Sequence, residues 1–116
     1  MLAERSRRSV AWVSTLREEG LWPPHIPSVV LIESLHGHVG RDALANRLLK
    51  LCVVLDDVPE LLARRAAQLR RLARKGSAVD ALVIALAEPG GTALTSDPHD
   101  LGALAAHARA VDVLRA

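Results

Sequence analysis

Phenylalanine and tyrosine are absent from these 116 residues, and two tryptophans, Trp12 and Trp22, are the whole aromatic complement. That argues against a protein that reads single-stranded nucleic acid by stacking bases on aromatic platforms. Cysteine is scarce as well: Cys52 stands alone, so no intramolecular disulfide framework and no CxxC zinc or redox motif exists. Long apolar runs are missing, the longest being the seven residues Ala81 to Ala87, against the ~20 that a membrane helix needs. The charged start, Met1 to Arg8, has no apolar stretch behind it and does not read as a signal peptide. No repeat and no low-complexity tract is visible. The expectation is a cytoplasmic protein with no membrane segment.

What is present is apolar and aliphatic. There are 20 Leu, 19 Ala and 12 Val, and the chain is 50% hydrophobic. The length fits one domain, residues 1–116, able to bury a core without staples. Arg outnumbers Lys 13 to 2, yet the net charge is only +2, too mild to imply a phosphate-binding surface by itself.

Hydrophobic spacing predicts a helix over residues 4–19, closed by Gly20. Trp22-Pro23-Pro24-His25-Ile26-Pro27 must be extended, because proline removes donors and restricts its predecessor. Ser28 is placed to cap a helix from Val29 to about His36, and a second helix is expected from Arg41 to Leu51. Cys52 to Leu55 reads as a buried strand and Val58 to Lys75 as a long helix. The apolar stripe of that helix is Leu61, Leu62, Ala66, Leu69, Leu72 and Ala73, with Arg65 intruding into it. After Gly76 the reading continues with a helix from Ser77 to Ala87, a turn at Pro89-Gly90-Gly91 and a strand from Thr92 to Thr95. A helix from Pro98 to about His107 and a strand from Val111 to Leu114 complete it. Strands alternating with helices argue a parallel α/β sheet.

Three carboxylates occupy positions where apolar or neutral residues would be ordinary. Glu33 follows the apolar run Val29 to Ile32, Asp80 lies in a helix apolar nearly all round, and Asp97 follows the strand Thr92 to Thr95. Open parallel sheets place their ligands at the carboxyl ends of strands. Converging carboxylates repel unless a cation lies between them, and hard divalent ions take such oxygens. Each acid also has a structural reading. Ser77-Ala78-Val79-Asp80 is a capping box, Asp97-Pro98-His99-Asp100 fits an N-cap with Pro at the first helical position, and Glu33 can face solvent.

Pro27-Ser28-Val29-Val30-Leu31-Ile32-Glu33, Val79 to Ala87, and Leu94-Thr95-Ser96-Asp97-Pro98-His99-Asp100-Leu101 resemble, in that order, the PIN domain. More narrowly, they resemble the VapC-type toxins of bacterial type II toxin–antitoxin pairs, and the likeness is collinear over roughly residues 5–115. The resemblance implies a three-layer α/β/α sandwich with a central parallel sheet, and a metal-dependent endoribonuclease. Glu33, Asp80 and Asp97 fall on the family's later acidic positions, as catalytic residues and as ligands for Mg²⁺ or Mn²⁺. Asp100 falls on an auxiliary ligand position and Ser96 on a neighbouring hydrogen-bonding one. The implied partners are a cognate antitoxin, an RNA substrate and a second copy of the chain.

The family opens with a strand ending in its first catalytic aspartate. This chain starts inside what resembles the first helix, and Glu4 is a poor substitute. The expectation is either an internal start at Met1 or a degenerate copy, with weak or no nuclease activity, held together by a partner or by dimerisation. Restored activity on adding in-frame upstream codons would bear that out. A catalytically impaired remnant that binds an antitoxin or itself is the competing function. An unrelated α/β scaffold whose acids are merely helix caps is a third reading.

Smaller features read more simply. His25, His36, His38, His99 and His107 lack the cysteines and spacing of a zinc site and read as solvent-facing or capping groups. Arg65 either snorkels at the stripe's edge or reaches a phosphate or an acidic partner. Arg70, Arg71, Arg74 and Lys75 form a solvated face, with RNA steering as the sharper alternative. Trp12 and Trp22 read as core or interface anchors, and Cys52 as a small core residue.

Overall fold

The structure is a computed structural model, which describes residues 23–95 and 98–115. The helix expected over residues 4–19, together with Glu4, Trp12 and Trp22, lies outside the described residues, as do Ser96 and Asp97. The chain divides into two compact units between Asp57 and Val58. Each is a mixture of helices and short parallel strands. No helix among the described residues is long and apolar enough to cross a membrane.

The first unit carries β1 (His25–Pro27), α1 (Val30–Ser34), α2 (Val39–Leu49) and β2 (Val53–Leu55). The proline-rich segment is extended as its chemistry demands, and it goes further by pairing as a strand. β1 and β2 are parallel, with His25 opposite Val53, Ile26 opposite Val54 and Pro27 opposite Leu55. Flanking bonds secure the ladder, from Val53 N to Pro24 O (2.9 Å) and from Ser28 N to Leu55 O (2.9 Å).

α1 is shorter than its sequence predicts, and Ser28 does not cap it through its side chain. Residue Val29 takes the N-cap place, and Ser28 contributes its carbonyl to Leu31 N at 3.0 Å. The helix stops at Ser34 because the next amides are taken by Asp42. Its carboxylate accepts from His36 N (2.9 and 3.1 Å), Gly37 N (2.8 Å) and His38 N (3.1 Å). The same turn starts α2 two residues earlier than expected, with His38 as N-cap and its Nδ1 accepting from Arg41 N at 3.3 Å. Weak helix formers at Val39 and Gly40 are carried into the helix by these caps.

The second unit carries α3 (Glu60–Ala73), α4 (Ala78–Ala87), β3 (Thr92–Thr95), α5 (Pro98–Ala105) and β4 (Asp112–Arg115). β3 and β4 are parallel, from Thr92 opposite Asp112 to Thr95 opposite Arg115. β3–α5–β4 is therefore a βαβ unit, as the alternation of elements requires. Its core unites Ala66 and Leu69 of α3, Ala81, Ile84 and Ala85 of α4, Ala93 of β3, and Leu101 and Leu104 of α5. Leu69, Ile84 and Leu104 are fully enclosed, each worth about 1.5–3 kcal/mol of burial.

The buried row of α3 is Leu62, Ala66, Leu69 and Ala73, spaced at helical intervals. Leu61 and Leu72, expected in that stripe, fall to its sides and are 81% and 43% exposed. α3 ends before the expected Lys75, because Arg74 already adopts the left-handed conformation (φ 55°, ψ 24°). An L-residue pays roughly 1–2 kcal/mol for that conformation. Gly76 follows at φ 88°, where an added Cβ would come within 2.6 Å of Leu104 Cδ1. Glycine is thus required there both by the backbone and by the contact. α5 closes earlier than His107 by tightening, with His107 N on Leu104 O (3.1 Å) and Ala108 N on Ala105 O (3.0 Å).

Candidate functional site

The two ends of the β3–β4 ladder carry different chemistry. α4 leads into β3 through a four-residue turn, and α5 follows β3 at its carboxyl end. α5 starts at that edge, because it carries the chain from the carboxyl end of β3 back to the amino end of β4. Ligands bind at this edge in open parallel sheets.

Asp80 stands in the first turn of α4 and is half-buried rather than enclosed. The capping box is fully formed: Asp80 N donates to Ser77 Oγ (3.1 Å) and Ser77 N donates to Asp80 Oδ2 (3.1 Å). One carboxylate oxygen is therefore committed to the helix end, and Oδ1 makes no bond to the cap. Asp100 occupies the first turn of α5, also half-buried. The connection preceding α4 reaches α5, since Lys75 Nζ donates to His99 Nε2 at 3.0 Å. Gly76, beside Asp80, packs against Leu104 of α5, and Asp100 stands at the carboxyl edge of the ladder. Thr95, the last residue of β3, is buried beside it.

The remaining candidates are placed differently. Glu33 is on α1 in the first unit and is exposed. Asp97 lies outside the described residues. Among the described residues, no three His, Cys, Asp or Glu side chains group closely enough to hold a metal ion. All five histidines are exposed, and His38 caps α2, in keeping with solvent-facing or capping roles. Cys52 is partly buried and donates its thiol to Leu48 O (3.3 Å), and burial pushes its pKa up.

The opposite edge, at the amino ends of β3 and β4, is closed by an ion-paired strap. Arg65 Nε donates to Glu88 Oε1 (2.7 Å) and its Nη2 to Glu88 Oε2 (2.8 Å), a bidentate pair. Nη1 reaches Gln68 Oε1 (2.7 Å), Nη2 also reaches His107 O (3.3 Å), and Arg109 N donates to Glu88 Oε2 (2.7 Å). The Arg65 hydrogen bond, above all, holds the Glu88 carboxyl below its usual range, and the same bond raises the guanidinium. Arg65 therefore meets an acidic partner within the chain. Its place in an apolar stripe signalled a buried task, but nothing in the sequence pointed to Glu88, 23 residues away.

A second carboxylate unforeseen in the sequence is Asp42, only 5% exposed. Its pKa is lowered, first by the backbone bond from His36 and then by those from His38 and Gly37, which together outweigh burial. Like the strap, it organises backbone rather than facing a cleft. Searches against family models, curated proteins and solved structures give no match for the chain.

Proposed function

We propose that this chain is a PIN-type endoribonuclease, the toxin of a type II toxin–antitoxin pair, dependent on Mg²⁺ or Mn²⁺. The observation that carries this reading is the place of Asp100 in the first turn of α5, just after the carboxyl end of β3, with Asp80 in the first turn of α4. Carboxylate oxygens are the donors that hard divalent cations select, and Oδ1 of Asp80 remains for such a ligand. Asp80 and Asp97 would hold the ion, with Asp100 as auxiliary. When bound, such a cation would lower the pKa of a water and offset charge on the scissile phosphate. The protein's own contribution is to fix Asp80 and Asp100 on helix starts, where the capping box keeps Asp80 in place. The full architecture on this reading is the three-layer α/β/α sandwich of the PIN domain. Its partners would be a cognate antitoxin and a second copy of the chain, in the cytoplasm.

One observation favours a second reading, a catalytically impaired relative that binds an antitoxin or itself. The Asp80 carboxylate already has a complete structural role in its capping box. Cleavage of mixed-sequence RNA in Mg²⁺, in Mn²⁺ and in chelator separates the two. The nuclease reading expects cleavage only with metal. It also expects Asp97→Asn to slow cleavage by about a hundredfold, the loss of ~3 kcal/mol of transition-state stabilisation. No metal effect on either protein overturns it.

A further inference from the structure

We infer that Arg71, Arg74 and Lys75, together with His99, form a surface that grips RNA by its phosphate backbone beside the acid-bearing edge of the β3–β4 ladder. The inference rests on the proposed reading of RNA as substrate and adds how that substrate is held.

Three observations converge on this turn. The first is charge without an opposing carboxylate. Arg71, Arg74 and Lys75 are exposed, and among the described residues the ion pairs of α3 are Arg64–Glu60 and Arg65–Glu88, neither of which uses them. Arg70 differs, because its Nε is spent on Gly76 O at 3.1 Å. The second is backbone conformation. Arg74 sits at φ 55°, ψ 24°, a left-handed helix terminus where glycine or asparagine is the ordinary occupant. A charged side chain held at such a position is retained against the backbone's preference, and strain of this kind collects at functional sites. The third is location. The bond from Lys75 Nζ to His99 Nε2 (3.0 Å) joins the basic turn to the first turn of α5, one residue before Asp100. A strand lying across Arg71, Arg74 and Lys75 would therefore lead its phosphodiester toward the first turn of α5, which carries Asp100.

The occupant follows from the chemistry of the patch. Its groups are guanidinium and ammonium donors, which pair with phosphate oxygens without reading sequence. Leu72, 43% exposed, is the large apolar side chain at this helix end, too little to anchor a peptide. A chain without Phe or Tyr has to hold single-stranded RNA mainly through its backbone rather than by stacking.

The test measures binding of a fluorescein-labelled, mixed-sequence single-stranded RNA to the full chain, in chelator, over a range of salt concentrations. Each phosphate contact contributes a slope of about 0.7 in log K against log salt on a single strand. The triple variant R71Q/R74Q/K75Q is thus expected to lose about 2 from the slope and bind about a hundredfold more weakly at ~0.1 M salt. Arg74→Gly alone should bind about fivefold more weakly while its Tm stays level or rises, since glycine suits that backbone. Arg64→Gln, which touches only an exposed pair with Glu60, should bind as wild type.

Wild-type affinity and slope in the triple variant overturn the inference. So does a triple variant that loses binding to a poly-glutamate peptide while keeping RNA, which would make this an acidic-peptide surface. Weaker binding of Arg74→Gly seen only alongside a lower Tm assigns Arg74 a structural role and also counts against it. If wild type binds and cuts RNA and the triple variant does the same, the inference alone fails. If wild type neither binds nor cuts RNA, the reading of the acid edge fails with it.

Discussion

Replacing Glu88 by glutamine keeps the shape of the strap and removes its charge. In the native protein the carboxylate accepts three short bonds, two from Arg65 (2.7 and 2.8 Å) and one from Arg109 N (2.7 Å). A glutamine offers one acceptor oxygen and turns an NH₂ toward a donor, so at least one bond is lost and one repulsive contact appears. The side chains are 22% and 9% exposed for Arg65 and Glu88, between the exposed limit of about 0–1 kcal/mol and the buried limit of about 3–5 kcal/mol. The expected cost is therefore about 2–3 kcal/mol, which for a chain of this size lowers Tm by about 8–12 °C. Urea unfolding followed by far-ultraviolet circular dichroism measures it. A double-mutant cycle with Arg65→Met should return a coupling of at least ~1.5 kcal/mol. The pH dependence has a definite sign. Because the folded carboxyl titrates below its ordinary value, its contribution is complete above the ordinary glutamate range. It is lost as pH falls from there through the folded value. Glu88→Gln should flatten that acid limb. A loss under ~0.5 kcal/mol with additive single variants, the behaviour of a solvated surface pair, would refute the reasoning.

Other perturbations test the local devices. Asp42→Asn should speed hydrogen exchange at the amides of His36, Gly37 and His38, which native Asp42 accepts, as read by NMR. Because the carboxyl of Asp42 titrates below its ordinary value, the same amides in the native protein should lose protection as pH falls from the ordinary aspartate range through the folded value. Ser77→Ala removes the acceptor of Asp80 N and should cost about 1 kcal/mol of stability, measured in the same urea titration.

The parts of the fold that were legible in the sequence are those governed by local chemistry. Ser77 and Asp80 announced a capping box and Thr92 to Thr95 a strand, and both appear, whereas the helix stop expected at Gly76 comes two residues sooner, at Arg74. The parallel α/β character followed from the alternation of elements. What escaped depends on partners distant in the chain. Prolines at 24 and 27 disguised β1, whose strand character comes from pairing with β2 across the intervening helices. α1 ends early because Asp42 captures amides five and six residues before it, which no helical pattern reveals. Leu61 and Leu72 were assigned to the core by spacing, yet the buried row is narrower than the apolar set. Of the candidate site, Asp80 drew attention by its place in an apolar helix, and Asp100 entered as a ligand only through the family resemblance. The exposed position of Glu33 on α1 agrees with its solvent-facing reading.

The central claim is that the acids at the starts of α4 and α5 hold a divalent cation. Paramagnetic broadening of amide NMR signals by substoichiometric Mn²⁺ tests it directly. The expected result is selective broadening around Asp80 and Asp100 at the starts of α4 and α5, abolished by Asp97→Asn and displaced by excess Mg²⁺. Broadening spread over exposed acids elsewhere, or unchanged in Asp97→Asn, would contradict it.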